Sequence, residues 1–138
     1  MKTIVLYYSK SGHTRFISSE KAKEMGCDIE EVKPAKKSFM LFDVHKAGKR
    51  KNLAIAPLKA NLSTYDKIVL VSPTWNGNTT PAINTILNEL PKDKEVEMVM
   101  VSGSGKSKEA NESFVKSCVS QRGCKLSAYV DVKQGAKA

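Results

Sequence analysis

The sequence predicts an α/β protein built on a doubly wound, parallel sheet of five strands with helices on both faces. Short apolar segments rich in β-branched residues recur along the chain, as is typical of strands buried on both faces. Segments with helical spacing lie between them, and this alternation of strands and helices indicates βαβ units. No repeat or linker interrupts the order, so a single domain is expected over residues 1–138.

The first two predicted elements are a buried strand and a helix. Residues 3–9, TIVLYYS, are β-branched and aromatic without alternation, which predicts a central strand. Residues 13–26 have helical spacing and end at Gly26, where a left-handed C-terminal cap is expected. The residues expected on the buried face of this helix are Phe16, Ile17 and Met25.

The next segment predicts an edge strand and then a less regular region. Apolar and charged residues alternate over 27–34, which predicts a strand at one edge of the sheet, closed by Pro34. Within 35–62 the pattern is weak, and only a short helix followed by an exposed basic loop at 48–52 is expected. The apolar residues of that short helix are Phe39, Met40, Leu41, Phe42 and Val44.

The second half of the chain opens with another strand and helix. Residues 67–72, KIVLVS, are fully apolar except at their ends, which predicts a second central strand. A helix is expected over 79–90, because Thr79 or Thr80 is a suitable N-cap and Pro81 suits the first turn.

The last three elements repeat this order. Residues 95–103, EVEMVMVSG, predict a third central strand, and 106–123 predict a helix that ends at Gly123. Residues 125–133, KLSAYVDVK, predict the final strand, which has no insertion. Five strands separated by helices usually form a doubly wound sheet, in which ligands bind at the carboxyl ends of the strands.

The charge of the chain favours acidic partners over nucleic acid or membrane. The sequence has 23 Lys and Arg against 14 Asp and Glu, a net charge of +9, much of it between Lys33 and Lys51. The basic run 46–51 has no interleaved aromatic residues, which favours a solvated face and disfavours nucleic-acid binding. No apolar run approaches the roughly 18 residues that cross a membrane, and the apolar start is too short for a signal peptide. A cytoplasmic location is therefore expected.

Cysteine and histidine are too sparse for a metal site. Cys27, Cys118 and Cys124 contain no CxxC spacing, and their number is odd. The chain has two histidines, His13 and His45, in separate segments. Reduced thiols are therefore favoured over a disulfide or a zinc site.

The turn after the first strand, SKSGHT at 9–14, is crowded with hydroxyl side chains. The unpaired N–H groups and the dipole at the start of a helix attract an anion. The hydroxyls of Ser9, Ser11 and Thr14 can add hydrogen bonds. Gly12 lets the backbone approach the anion closely. A simple helix cap needs one hydroxyl, so this spacing favours a phosphate site over a cap alone.

Two further loops follow central strands. In 72–81, SPTWNGNTTP, Trp75 can offer a flat face to an aromatic ligand, and Asn76-Gly77 tolerates positive φ. The alternative for this loop is a hairpin-like turn with Trp75 folded onto the protein. The loop 102–107, SGSGKS, fails both common nucleotide-binding patterns, so it is expected to form a flexible wall of a ligand site.

These loops resemble those of the flavodoxin family over nearly the whole chain. The SKSGHT turn matches the family's phosphate-binding pattern of hydroxyl-x-hydroxyl-Gly-x-Thr. Residues 65–87 resemble its third strand and flavin-stacking loop, including a Pro-x-Trp element, and 99–107 resemble its fourth strand and the following loop. The resemblance implies a flavodoxin-like sheet with strand order 2-1-3-4-5.

The resemblance also implies noncovalent FMN as the cofactor. It places the phosphate on the first loop and the isoalloxazine between the other two loops, with an Asn76–Gly77 peptide that reorients when the ring is reduced. The implied cofactor-binding residues are Ser9, Lys10, Ser11, Gly12, His13, Thr14, Pro73, Thr74, Trp75, Asn76, Gly77, Asn78, Ser102, Gly103, Ser104 and Gly105.

The leading functional hypothesis is an FMN-binding redox protein, either an electron carrier or a small flavin-dependent oxidoreductase with an acidic redox partner. Typical flavodoxins are acidic, whereas this chain is basic and has a long segment at 33–59. One alternative is therefore a flavodoxin-like binding module without flavin that uses a basic face on an acidic partner. Another is a phosphoester hydrolase, which is disfavoured because no nucleophile–base pair is evident.

Overall fold

The computed structural model describes residues 1–36 and 50–135 and shows the expected alternation of strands and helices. The strands are β1 (Thr3–Tyr7), β2 (Asp28–Glu31), β3 (Lys67–Trp75), β4 (Asn78–Thr79), β5 (Glu95–Ser102) and β6 (Lys125–Lys133). The helices are α1 (His13–Met25), α2 (Pro81–Asn88) and α3 (Glu109–Gln121), and a short 3-10 helix spans Leu62–Thr64. None of the helices in these two ranges is long and apolar enough to cross a membrane.

The sheet has the predicted doubly wound topology. Its main path runs β2-β1-β3-β5-β6, and every neighbouring pair on that path is parallel. This confirms the predicted flavodoxin-like order 2-1-3-4-5, with β5 and β6 as the fourth and fifth parallel strands. The short strand β4, which pairs antiparallel with the end of β3, was not predicted as a strand, although a hairpin-like turn was left open for this loop. The carboxyl ends of β1, β3 and β5 consequently lie side by side at one edge.

Helices cover both faces of the sheet, as predicted. On one face Ile4, Leu6 and Leu70 pack in a core cluster with apolar residues of α2 and α3. On the other face Val5 and Val69 pack with residues of α1. Successive residues of a strand point to opposite faces, so a strand with two covered faces is apolar at every position.

Helix α1 is oriented differently from the prediction. Its buried residues are Thr14, Ile17, Ser18 and Ala22. The inward position of Ile17 is confirmed, but Phe16 is 57% exposed and Met25 is 38% exposed. Residues of a helix are offset by about 100°, so Phe16 lies far around the helix from both Thr14 and Ser18. The predicted burial of Phe16 is therefore wrong, because the buried face of α1 is the one that contains Thr14, Ser18 and Ala22.

An ion-pair cluster joins α1 to the sheet. Lys21 Nζ lies 2.7 Å from Glu97 Oε2, and Lys67 Nζ lies 3.2 Å from Glu97 Oε1. Burial alone would raise the pKa of the Glu97 carboxyl, but the hydrogen bonds and charges of both lysines outweigh it and hold that pKa below its ordinary value. This contact helps to fix α1, and with it the loop that precedes α1.

The helix boundaries agree well with the predicted caps. Gly26 has a φ of 62° at the end of α1, and Thr80 is the N-cap of α2, followed by Pro81. Gly123, with a φ of 73°, follows Arg122, the C-cap residue of α3. The predicted short helix around residues 39–44 lies outside the described residues.

The predicted basic run lies only partly within the described residues, because 46–49 fall outside them. Arg50 is described and packs inward, with its guanidinium carbon 4.9 Å from the centroid of the Phe114 ring. Lys51 is exposed, while its backbone carbonyl accepts a hydrogen bond of 3.0 Å from Asn84 Nδ2 on α2. The last two residues of the run therefore contact helices α3 and α2.

Candidate functional site at the carboxyl edge of the sheet

Three loops meet at the carboxyl edge of the sheet, where the sequence analysis placed the ligand. The first loop, residues 8–12, follows β1. The second is the β3–β4 hairpin around 74–79, and the third, residues 103–108, follows β5. Because β1, β3 and β5 are adjacent and parallel, the predicted site residues are brought to one edge.

The first loop is built around Gly12. The Gly12 N–H donates to Ser9 Oγ at 3.1 Å, which closes a tight turn before α1. Gly12 has a φ of 97°, and a Cβ added there would meet no atom within 4 Å. Lys10, Ser11 and His13 are exposed around this open space. An approaching ligand group can therefore reach the loop backbone directly.

The start of α1 presents backbone donors. Its N-cap residue, Gly12, has no side chain that could cap the helix, and the first turn of the helix has no acidic residue. The first helical hydrogen bond runs from Phe16 N–H to Gly12 O at 3.1 Å, so the N–H groups of 13–15 precede it. Thr14 is 3% exposed beside these groups. Free N–H groups and the helix dipole together form an anion site.

Positive charge beside this loop is partly neutralised. Arg15 Nη2 lies 3.2 Å from Glu31 Oε2 at the end of β2. A hydrogen bond to the Tyr7 hydroxyl and the charge of Glu31 raise the pKa of the Arg15 guanidinium. The first loop consequently lies beside one paired arginine and beside backbone N–H groups that have no helical partner in the described residues, an arrangement that suits a phosphate monoester.

The second loop is a two-residue hairpin. Thr74 pairs with Thr79 and Trp75 with Asn78, and the turn residues Asn76 and Gly77 have φ values of 52° and 77°. Positive φ at both turn positions matches the twist of the flanking strands and explains the Asn-Gly sequence. The structure therefore shows the hairpin that the sequence left open as an alternative.

Trp75 packs against the protein in this hairpin. It is 8% exposed, and its ring lies edge-on to Tyr8, with centroids 5.7 Å apart and an interplanar angle of 84°. The second and first loops are thus joined by an aromatic contact. Stacking of Trp75 on a flavin remains a prediction.

The hairpin also contains buried polar atoms that have no partner. Thr74 Oγ1 and Asn78 Oδ1 are buried without a hydrogen bond in the described part of the chain. Leaving such an atom unpaired costs about 1–3 kcal/mol. FMN carries hydrogen-bonding groups on its ring and its ribityl chain, so the residues present fit a cofactor of this kind.

The third loop is held by hydrogen bonds to Ser102, the last residue of β5. Ser102 Oγ accepts hydrogen bonds from the N–H groups of Gly105 at 2.9 Å and Lys106 at 3.0 Å. Ser102 is 8% exposed, whereas Gly103 and Ser104 are exposed. The structure therefore gives the predicted contact residue Ser102 an internal role in shaping the loop, and leaves the loop tip accessible.

Sequence reasoning missed the residues that connect the second and third loops. The Lys108 N–H donates to Gly77 O at 3.0 Å. Asn111 is fully buried and contacts Thr79 of the hairpin and Tyr129 of β6. One signal was available, because Asn111 lies at helical spacing from buried Val115 and so occupies a position where an apolar residue is expected.

Two surface clefts differ in their relation to these loops. A cleft of about 680 Å³ runs along β2 and includes Asp28, Glu30 and Tyr65. A smaller cleft of about 230 Å³ lies against the first loop, between Tyr8–Lys10 and the residues that follow β2. The smaller one is the relevant cleft, because it adjoins the anion site.

Comparison with known proteins identifies the family of the chain. The model of the NADPH-dependent FMN reductase family matches residues 1–136. No curated protein matches the chain. A crystal structure of a flavoprotein from Lactobacillus acidophilus NCFM in complex with FMN is similar, with a TM-score of 0.76 and 23% identity over 96% of this chain and 93% of that chain.

Two other solved structures support the same fold. The apo-form of the flavoprotein from Lactobacillus acidophilus NCFM has a TM-score of 0.71 and 25% identity, over 94% of this chain and 92% of that one. Oxidised flavodoxin 1 from Bacillus cereus has a TM-score of 0.60 and 16% identity, over 99% and 87% of the two chains. The predictions of a flavodoxin-like flavoprotein and of FMN as its cofactor are confirmed by the family and the fold together. The chain belongs to the NADPH-dependent FMN reductase family.

Proposed function

We propose that this chain is an FMN-dependent oxidoreductase that accepts electrons from a nicotinamide nucleotide and passes them to an acceptor. The flavin lies across the three loops of the carboxyl edge. Its phosphate binds Ser9, Lys10, Ser11, Gly12, His13 and Thr14. Its ring lies between the segments Pro73–Asn78 and Ser102–Gly105.

The observation that carries this proposal is the open set of donors at the start of α1. The N–H groups of 13–15 precede the first helical hydrogen bond, and a Cβ added to Gly12 would meet no other atom of the described residues within 4 Å. A phosphate dianion placed there receives several charge-assisted hydrogen bonds from the backbone and from the nearby hydroxyls. A neutral ligand would leave most of these donors to water.

The hairpin supports the placement of the ring. Thr74 Oγ1 and Asn78 Oδ1 are buried without partners, so a polar ligand edge in this region would relieve an existing cost. When bound, FMN supplies the electron-transfer chemistry. The side chains of this chain bind the phosphate, orient the ring and exclude water from one side of it.

The charge around the site favours an acidic redox partner. Five exposed lysines lie on or beside the first and third loops. They are Lys10, Lys36, Lys106, Lys108 and Lys133. Such a rim accelerates encounter with an acidic protein and makes the association rate dependent on salt. We therefore place partner docking at this edge, where electrons have the shortest path to the flavin.

Titration of the flavin-free protein with FMN tests the proposal. Bound FMN should give a yellow protein with quenched flavin fluorescence, and Thr14→Val should raise the Kd by about tenfold, since a hydrogen bond to a charged group contributes about 1.5–3 kcal/mol. Ser19→Ala, which removes an exposed hydroxyl from the same helix, is the matched control and should leave the Kd unchanged.

Turnover separates the two forms of the hypothesis. A reductase oxidises NADPH when FMN and an electron acceptor are present, whereas a carrier is reduced only by a partner protein. A protein that stays colourless with excess FMN and binds heparin would contradict both forms, and would favour the flavin-free binding module.

A further inference from the structure

Asn111 in the first turn of α3 binds the second loop through its side-chain oxygen. Asn111 is 0% exposed. Its Oδ1 accepts hydrogen bonds from Thr79 N–H at 2.9 Å and from Thr79 Oγ1 at 3.1 Å. Thr79 is the last residue of β4, so the returning strand of the hairpin is attached to α3.

The amide nitrogen of Asn111 connects the same point to the third loop. Asn111 Nδ2 donates to the Tyr129 hydroxyl at 2.8 Å, and that hydroxyl shares a hydrogen bond of 2.6 Å with Ser107 Oγ. The Ser107 N–H also donates to Asp131 Oδ1 at 2.9 Å. A continuous chain of hydrogen bonds therefore runs from the hairpin through α3 to the third loop and β6.

A second contact joins the two loops directly. Lys108 N–H donates to Gly77 O at 3.0 Å, and the aliphatic part of the Lys108 side chain fills the position that a Cβ on Gly77 would occupy. The turn of the hairpin is thus held from the start of α3, while its returning strand is held by Asn111.

We propose that Asn111 and Tyr129 are positioning residues that set the spacing between the hairpin and the third loop, and so shape the site for the flavin ring. This inference rests on the proposed function. Buried polar groups that are fully paired rigidify the elements they join, and a site must be held to within about 0.5 Å of its productive geometry. Neither side chain is required to touch the cofactor.

The proposal predicts that loss of the Tyr129 hydroxyl changes flavin binding as well as stability. Tyr129→Phe keeps the ring and removes the link between Asn111 and Ser107. The Kd for FMN should rise about threefold to tenfold, which corresponds to one net hydrogen bond. The visible circular dichroism of bound FMN should change, since it reports the asymmetry of the ring's surroundings.

Tyr65→Phe provides a matched control at the opposite edge of the sheet. Tyr65 is 7% exposed, and its hydroxyl donates to Asp28 Oδ2 at 2.6 Å, near the amino ends of β2 and β3. Both tyrosine variants should lower the urea midpoint of the flavin-free protein. Only Tyr129→Phe should alter the Kd and the circular dichroism of bound FMN.

Ser107→Ala completes the test from the other end of the hydrogen bond. It should reproduce the effect of Tyr129→Phe on the Kd, and the double variant should show little further change, because both remove the same link. Two results would overturn this inference alone, provided that the wild-type protein binds FMN. One is an unchanged Kd for FMN in Tyr129→Phe, and the other is an equal rise of that Kd in Tyr65→Phe. Wild-type protein that binds no FMN would overturn the proposed function and this inference with it.

Discussion

The first loop differs from the second and third loops in what its polar groups are bonded to. At the start of α1, the N–H groups of 13–15 precede the first helical hydrogen bond, and the N-cap residue Gly12 has no side chain to bond to them. Between the hairpin and the third loop, by contrast, Asn111, Tyr129 and Ser107 are bonded to each other and to the backbone. With FMN in the proposed position, this difference predicts that the phosphate is recognised by charge and the ring by shape.

Exposure explains why the two regions differ. Lys10, Ser11 and His13 are exposed, so water satisfies the first loop at little cost until an anion replaces it. Asn111 is fully buried, and an unpaired amide there would be costly. Hydrogen-bond donors can therefore stay without a protein partner at little cost where the loop is open to water. In the buried region, unpaired groups are costly, so the hydrogen bonds are expected to form in the absence of the ligand.

The largest expected effect comes from removing the phosphate from the ligand. Riboflavin has the same ring as FMN but gives the first loop no anion to bind. We expect its Kd to be about 100-fold higher than that of FMN, which corresponds to about 2.8 kcal/mol. Water replaces most of the lost charge-assisted hydrogen bonds in this exposed loop, so the net loss is close to that of one or two such bonds. Fluorescence titration with both ligands measures this ratio.

Thr14→Val sharpens the ligand comparison. The ratio of the riboflavin Kd to the FMN Kd should be smaller for this variant, because the substitution weakens the binding of FMN and leaves the binding of riboflavin unchanged. Equal affinities of the wild-type protein for FMN and riboflavin would show that the first loop does not bind the phosphate.

A smaller effect is expected from the backbone of the first loop. Gly12 has a φ of 97°, which disfavours any residue with a Cβ, so Gly12→Ala should cost about 1–2 kcal/mol in the free energy of unfolding. Gly103 in the third loop is the matched control. A Cβ there would approach no atom closer than 3.9 Å, and its φ is not positive. Urea unfolding of the flavin-free variants should show a loss for Gly12→Ala and little change for Gly103→Ala.

The sequence predicted the fold and the first loop better than it predicted the ring side of the site, by which we mean the hairpin 74–79, the third loop 103–108 and the residues that join them. Strand β6 was placed to the residue, because alternating apolar and polar residues that include β-branched and aromatic side chains and are bounded by turns are a local signal. The first loop is local too, since Ser9, Gly12 and α1 are contiguous. Helical spacing nevertheless failed at Phe16, where no local pattern reveals that small residues contact the sheet.

The ring side depends on contacts between distant residues. Asn111 and Tyr129 are separated by 18 positions, and Asn111 and Thr79 by 32. Neither pairing has a periodic signature, and the contact between Trp75 and Tyr8 likewise forms only when β1 and β3 are adjacent. A polar residue on an apolar helix face was the one available clue to Asn111; it was not used in the sequence analysis, and it contains no information on the partners of Asn111.

The smallest expected effect concerns Thr74, which like Asn78 is an exception on the ring side. Its Oγ1 is buried without a partner, although Thr79, which pairs with it across the hairpin, donates from Oγ1 to Asn111 Oδ1 at 3.1 Å. Thr74→Val should therefore stabilise the flavin-free protein by about 0.5–1 kcal/mol, because it removes an unpaired group without changing the shape. Thr79→Val should destabilise it by a similar amount.

The sign of the effect on FMN decides what the Thr74 hydroxyl is for. If the Thr74 hydroxyl bonds to FMN, Thr74→Val should bind FMN a few-fold more weakly, while the flavin-free variant is more stable to urea than the wild-type protein. A ligand-independent defect would give the gain in stability with no change in the Kd. In the first outcome the ring side, like the first loop, has a donor that bonds to the cofactor, and the two regions differ only in how many such donors they have. In the second outcome the ring is recognised by shape alone.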